Sequence, residues 1–164
     1  MEQYLYNALG VNVTNIYGFK STSALIVFSE TGVNIKEKFP TEKQFLSWLN
    51  VVPNNKISGG KILSSKVKRK KNIAGQAMRD AANTLWKANN PLGEYLRKKK
   101  SKSGAGPAIV ATARKIASIY YKMVTQKQEF DPEKIKQKSK EGLVNRIRYL
   151  KRQLETNKTL LADF

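Results

Sequence analysis

The segment Asn54-Asn55-Lys56-Ile57-Ser58-Gly59-Gly60-Lys61-Ile62-Leu63-Ser64-Ser65-Lys66 sets a serine beside two glycines in a strongly basic stretch. From Lys56 to Lys71 there are seven Lys or Arg and no acidic residue, so the glycine pair lies in a field that attracts phosphate. Gly59 and Gly60 leave one flank of Ser58 without side chains, and Lys56 and Lys61 can neutralise charge that develops on a bound phosphate. A serine attacking a phosphodiester forms a phosphoserine ester and conserves the bond energy for rejoining, which strand exchange requires and hydrolysis does not. Ser64 and Ser65 compete for the same role, and a solvated basic hairpin without chemistry accounts for the same residues.

The chain contains no Cys and no His. Most metal-ligand sets, thiol chemistry and the usual general base at neutral pH are therefore removed. Activation of a serine falls to a carboxylate, a lysine of lowered pKa or a metal ion held elsewhere. A length of 164 residues suffices for one domain with a core, or for a small domain with an appended helix.

The formal charge of +19 is unevenly spread. Residues 1–55 carry four basic and four acidic groups, residues 56–127 eighteen and two, and residues 128–164 nine and six. The middle segment is where a polyanion should bind. Lys and Arg interrupt every apolar run before a membrane-spanning length is reached, and nucleic acid is a better partner than an anionic membrane surface. Met1-Glu2-Gln3-Tyr4-Leu5 has neither the basic start nor the apolar core of a signal peptide, which points to the cytoplasm and the nucleoid.

The elements that must position the serine read mainly as helices. Residues 16–32 read as a turn at Gly18 and a short helix with Ala24, Leu25, Val27 and Phe28 on its apolar side and Gly32 as its stop. Pro40 and Thr41 open a second helix whose Phe45, Leu46, Trp48 and Leu49 recur at helical spacing. Residues 61–67 alternate loosely enough to allow a short hairpin. Asn72 caps a helix from Ile73 to Asn89 with a narrow stripe of small residues, Ala74, Ala77, Ala81 and Ala82 among them.

Arg97-Lys98-Lys99-Lys100-Ser101-Lys102, followed by Gly104-Ala105-Gly106, reads as a mobile basic connector. Pro107 suits the first turn of a helix to about Lys127, with Ile116, Tyr120, Tyr121 and Val124 on its apolar face. Those tyrosines fit core packing better than base stacking. Asp131-Pro132-Glu133 is a strong helix start, and the last helix carries Leu143, Ile147, Leu150, Leu154 and Leu161 close to a heptad, with Asn157 at the remaining position. Its packing on its own domain competes evenly with dimerisation.

Two resemblances follow from these residues. The turn from Ile16 to Ala24 is similar to a helix-hairpin-helix, which offers backbone N–H groups to a nucleic-acid phosphate, although Lys20 stands where that pattern has a second glycine. Gly18 through Ala24, Phe39-Pro40-Thr41-Glu42-Lys43, Trp48-Leu49, residues 53–61, Leu63-Ser64-Ser65, Ala77-Met78-Arg79, residues 111–117 and Tyr120 together resemble the C-terminal serine transposase domain of the bridge-RNA-guided insertion-sequence recombinases. The resemblance covers roughly residues 8–130. It implies a mobile-element recombinase in which a structured guide RNA pairs with donor and target DNA, Ser58 attacks the scissile phosphate, and Arg79 matches an arginine of the helix that follows. The N-terminal RuvC-like domain of that family, whose four acidic ligands hold metal, has no counterpart here, since residues 1–55 offer only Glu2, Glu30, Glu37 and Glu42 without a strand context. Mg2+ is thus implied only for the complete enzyme, through that other domain.

The expected fold is mainly α: a compact helical domain with a helix-hairpin-helix-like N-terminal part, a basic loop or hairpin, and a long C-terminal helix. Residues 1–127 form the transposase-like domain in this reading, and residues 128–164 a C-terminal helix that is a candidate assembly element between copies. Ser58 is the nucleophile, with Lys61 and Arg79 stabilising phosphate. Lys56, Lys66, Lys68, Arg69, Lys70, Lys71, Arg97, Lys98, Lys99, Lys100, Lys102, Arg114 and Lys115 are the nucleic-acid contacts, and no residue is a metal ligand. The chain alone is expected to be an incomplete recombinase. A non-catalytic nucleic-acid-binding remnant of a mobile element is the alternative, and an assembly module acting through the last helix is a third class.

Overall fold

A computed structural model describes residues 1–67, 72–136 and 140–162. The chain divides into two units, Met1–Phe130 and Asp131–Phe164. The larger unit runs α1 (Glu2–Leu9), a single 3-10 turn (Val13–Asn15), α2 (Ser21–Thr31), α3 (Ile35–Lys38), α4 (Glu42–Trp48), β1 (Lys56–Ser58), β2 (Lys61–Ser64), α5 (Ile73–Asn83), α6 (Pro91–Ser103) and α7 (Ala105–Gln126). The architecture is mainly helical, as expected from the sequence.

Local chemistry sets most boundaries. Thr41 and Gln44 form a reciprocal capping box at the start of α4, with the Gln44 N–H donating to Thr41 Oγ1 at 3.3 Å and the Thr41 N–H to Gln44 Oε1 at 3.0 Å. Asn72 Oδ1 accepts the Gly75 N–H at 2.6 Å while Asn72 Nδ2 donates to the Trp48 carbonyl at 2.8 Å. One side chain thus caps α5 and ties its start to the end of α4. Gly32 ends α2 at φ 73°, its N–H donating to the Phe28 carbonyl at 2.7 Å.

The core is organised around α7, which packs on α6, α5, α4 and α3. Its apolar face buries Ala113, Ile116, Ala117, Tyr120, Tyr121 and Val124. The Tyr120 ring meets Phe19 at 5.6 Å and Phe45 at 6.1 Å, and Tyr121 meets Phe45 at 5.6 Å. Such ring pairs add about 0.5–1.5 kcal/mol each beyond area burial. The Tyr121 hydroxyl donates to the Phe39 carbonyl at 2.7 Å. Burial pushes the Tyr120 phenol up to about 12. The Thr31 hydroxyl lies near enough to act on that phenol, yet it donates to the Val27 carbonyl at 2.9 Å, and Tyr120 has no hydrogen bond of its own.

Between α7 and α2 lies α5, which buries Ala74, Gly75, Ala77, Met78, Ala81 and Ala82. The small stripe allows backbones to approach closely. Gly18, at φ 77°, sits where a Cβ would stand 2.5 Å from the Ala81 carbonyl oxygen, and a Cβ on Gly75 would stand 2.1 Å from that of Leu49.

Two expectations are corrected. The helix expected to reach Asn89 ends at Asn83. There the side chains turn back on the chain, Thr84 Oγ1 donating to the Ala81 carbonyl and Trp86 Nε1 to Asn83 Oδ1, both at 2.8 Å. Gly93 of α6 also lies against the Ala88 and Leu85 carbonyls, an approach that requires the chain to leave the helix axis. The segment Arg97-Lys102, expected as a mobile connector, is the second half of α6. Asn90 Oδ1 caps that helix on the Gly93 N–H at 2.9 Å, Pro91 occupies its first turn, and Leu92 and Leu96 are fully buried. α1 did not show in the sequence reading, and Glu2 to Leu9 buries only Leu5 and Leu9.

The smaller unit contains α8 (Pro132–Lys136) and α9 (Lys140–Ala162). Asp131 Oδ1 accepts the Glu133 N–H at 2.9 Å, the capping geometry expected of Asp-Pro-Glu. Along α9, Val144, Ile147, Leu150, Leu154 and Leu161 are all exposed. Among the described residues no helix is long and apolar enough to cross a membrane.

The glycine at position 18 provides a direct test of close packing. Gly18→Ala should destabilise by about 2–4 kcal/mol, combining a left-handed backbone with a clash against Ala81. Gly10→Ala, at φ 69° with only the Lys127 side chain nearby, should cost about 1 kcal/mol. Equal midpoints for the two variants in chemical denaturation would show that the Gly18 contact is not tight.

Candidate nucleic-acid interface

The hairpin follows from its turn. Ser58 pairs with Lys61 across Gly59 and Gly60, whose φ values are 53° and 74°. Two successive positive φ angles are the type I′ pattern, whose twist matches that of paired strands and which glycine adopts without steric cost. A hairpin does form, but the loosely alternating segment supplies only its second strand, Lys61–Ser64, paired with Lys56–Ser58, and the register sets Ser58 Cα directly opposite Lys61 Cα at the tip. Lys56, Ser58 and Lys61 are all exposed, and nothing stands within 4 Å of where a Cβ would sit on Gly59 or Gly60. Among the described residues no carboxylate or amine hydrogen-bonds the Ser58 hydroxyl. Ile57 and Leu63 are exposed at 63% and 70%, so the hairpin is a blade supported mainly by its own strand pairing.

The competing serines occupy different places. Ser64 ends β2, and its Oγ accepts the Lys66 N–H at 3.4 Å. Ser65 lies at the base of the hairpin, lining a cleft of about 940 Å³. Asn54 closes that base by donating its N–H to the Lys66 carbonyl at 3.1 Å. Lys68, Arg69, Lys70 and Lys71 lie outside the described residues.

Arg79 stands on α5, half-buried, with its Nε donating to Gln76 Oε1 at 3.2 Å. That bond is internal to the helix, and no contact joins Arg79 to Ser58. On α6 the basic residues divide by task. Arg97 Nη1 donates to the carbonyls of Trp86 and Ala88 at 3.1 and 2.9 Å, holding the turn between α5 and α6. Lys98 pairs with Glu94 one turn earlier, and Lys100 lies over the Trp86 ring at 5.2 Å. Lys102 is exposed, while Lys99 faces the cleft.

Arg114 and Lys115 of α7 complete that cleft wall. Lys115 Nζ sits 4.1 Å from the centre of the Tyr95 ring. Burial disfavours its charged form and the neighbouring Lys99 adds to the effect, so its pKa lies below the ordinary lysine value. Burial raises the Tyr95 phenol, with Arg114 acting in the opposite direction. Sequence reasoning found Lys99, Arg114 and Lys115 but missed Tyr95, Val51, Pro53 and Val110. The available signal was the four-residue spacing of Tyr95 and Lys99, which puts them on one face of α6. Its meaning depends on α6 and α7 packing together across Gly104.

The structure thus carries a basic hairpin on a small helical core, with further cations on the α6–α7 pair, and comparison with known families gives the class of the protein. The profile of the Transposase IS116/IS110/IS902 family matches residues 11–97. The match spans just over half of the 164 residues and takes in Ser58, Lys61 and Arg79. The chain belongs to this family of insertion-sequence transposases, for which DNA is the partner. Comparison with curated proteins and with solved structures gives no match in either case.

The depressed lysine can be read directly. Followed across pH with limiting acylating reagent, the modification of Lys115 should rise at a lower pH than that of the exposed Lys102, because its free amine forms earlier. Lys99→Ala should narrow that gap without closing it, since burial is the larger cause. Peptide mass spectrometry giving Lys115 a modification midpoint at or above the pH found for Lys102 would show that its ammonium form is not disfavoured.

Proposed function

We propose that this chain is the strand-exchange domain of an insertion-sequence transposase, with the Ser58 hydroxyl as nucleophile. The supporting observation is the hairpin tip: an exposed serine, two glycines without side chains, and Lys61 directly across the strand pair. In the step itself Ser58 Oγ attacks phosphorus and its proton passes to a base. The ester oxygen of the broken strand leaves and takes up a proton, and the phosphate remains bound to serine. Lys61 offsets charge on the non-bridging oxygens, and Arg79 is the second cation that the resemblance assigns to this role.

Among the described residues no three acidic side chains gather to hold a metal ion. Mg2+ enters only through the resemblance to the bridge-RNA-guided recombinases, in which the carboxylates of a RuvC-like domain hold it. A guide RNA is the further partner in this reading, bound by the same basic residues, and α9 is the proposed assembly element between copies. The place of action is the nucleoid.

A second reading, nucleic-acid binding without chemistry, is favoured by one observation. Among the described residues nothing is placed to take the proton from Ser58.

With the chain assembled with a RuvC-like half and supplied with Mg2+, incubation with nicked duplex DNA, followed by denaturing electrophoresis, should give a covalent protein–DNA adduct that Ser58→Ala abolishes. An adduct that persists in that variant moves the nucleophile to Ser64 or Ser65. Salt-dependent binding with no adduct supports the second reading, with log K falling by about 0.9 per phosphate contact for each decade of salt. Affinity that does not respond to salt defeats both readings.

A further inference from the structure

The cleft at the base of the hairpin has a composition that the hairpin lacks. Its volume of about 940 Å³ is at the upper end of sites for small organic ligands, roughly 300–1,000 Å³. Val51, Pro53 and Val67 line it together with Val110 and Ala111 of α7. Lys66, Lys99, Arg114 and Lys115 supply the charge. Glu42, the one carboxylate among the described lining residues, is engaged: it accepts from Ser118 Oγ at 2.6 Å and faces Lys122 Nζ at 3.6 Å. Apolar walls with cations of one sign suit a ligand that is flat and apolar at one end and anionic at the other.

We propose that this cleft receives one unpaired nucleotide of the strand engaged by the hairpin, its base between Pro53 and Val110 and its flanking phosphates on Lys66, Lys99 and Arg114. The proposal rests on the nucleic-acid-binding reading of the domain and adds to it a preference for unpaired strands. A base inside a duplex is covered on both faces by its neighbours, so these walls reach it only after it leaves the stack. Tyr95 is not the stacking platform on the face that Lys115 covers, and the grip on the base is aliphatic.

The position of the cleft gives the nucleotide a consequence. β2 runs from Lys61, opposite Ser58, towards Ser65 and Lys66 on the cleft wall. The five steps from Lys61 to Lys66 span at most about 17 Å if fully extended. A nucleotide held in the cleft would therefore hold the strand a short distance from Ser58 and help set which phosphate reaches it.

The test uses the full chain and two short duplexes, one fully paired and one with a single bulged fluorescent adenine analogue, each made with deoxyribose and with ribose. The bulged probe should bind about tenfold more tightly, on the scale of one base contact, and its fluorescence should change on binding. Val110→Trp, which fills the cleft, should bring the bulged probe down to the affinity of the paired one while leaving the latter unchanged. Arg114→Ala, at an exposed position that should not disturb folding, should reduce the preference and decides the matter if Val110→Trp does not fold. Preference in the deoxyribose series assigns the cleft to DNA, and in the ribose series to RNA; either supports the proposal. Strong, salt-dependent binding with no preference for the bulge, or a preference that survives both variants, overturns it. Failure to bind any probe removes the nucleic-acid reading itself, which is a different result.

Discussion

The buried face of α7 is the constraint on which the rest of the larger unit depends. Tyr120, without exposed surface, sits between Phe19 and Phe45, which come from the turn before α2 and from α4. The same helix takes the small-residue stripe of α5 and the buried leucines of α6. Residues 11–97, shared with the transposase family, end before α7 begins. Much of the family-matched segment is therefore packed around a helix that lies outside the match, and the placement of α4, α5 and α6 relative to one another is set by what that helix buries.

Charge is arranged around this core rather than within it. Among the described residues the buried polar side chains are Thr14, Thr31, Asn50, Thr112 and the phenols of Tyr120 and Tyr121, and no buried side chain is a carboxylate, lysine or arginine, as the cost of burying an unpaired charge requires. A large formal charge does not translate into an equally large binding surface. Arg97 closes a turn, Lys98 answers Glu94, and Lys127 donates to the Leu9 carbonyl at 2.7 Å beside Gly10. Among the described cations, Lys56 and Lys61 stand on the hairpin, and Lys66, Lys99, Arg114 and Lys115 line the cleft. These are two different environments: at the hairpin tip solvent screens each lysine, while in the cleft partial burial strengthens every electrostatic interaction and holds the Lys115 pKa below its ordinary value.

How far the sequence could be read depended on how local the determining chemistry was. Thr41, Asn72 and Asp131 each cap the helix that their type and spacing announced. Tyr120 and Tyr121 belong to the core, as their place in an apolar stripe implied. The basic run at Arg97 was misread because charge suggested solvent, whereas Leu92 and Leu96 on the opposite face bring the same segment into the core as a helix. The early end of α5 was equally invisible. Its cause is the approach of Gly93 to the Leu85 and Ala88 carbonyls, a contact that exists only once α6 has packed.

By itself the sequence determined the mainly helical class, the position of most caps, the Gly-Gly turn that presents Ser58, and the concentration of positive charge in the middle of the chain. These are properties of residues within a few positions of one another, governed by backbone conformation and short hydrogen bonds. Only the tertiary structure decided that Lys66, Lys99 and Arg114 share one cleft with Val51, Pro53 and Val110, and that several other cations are engaged in structural contacts. Those facts arise from packing between elements distant in sequence, which periodicity within any one segment does not record.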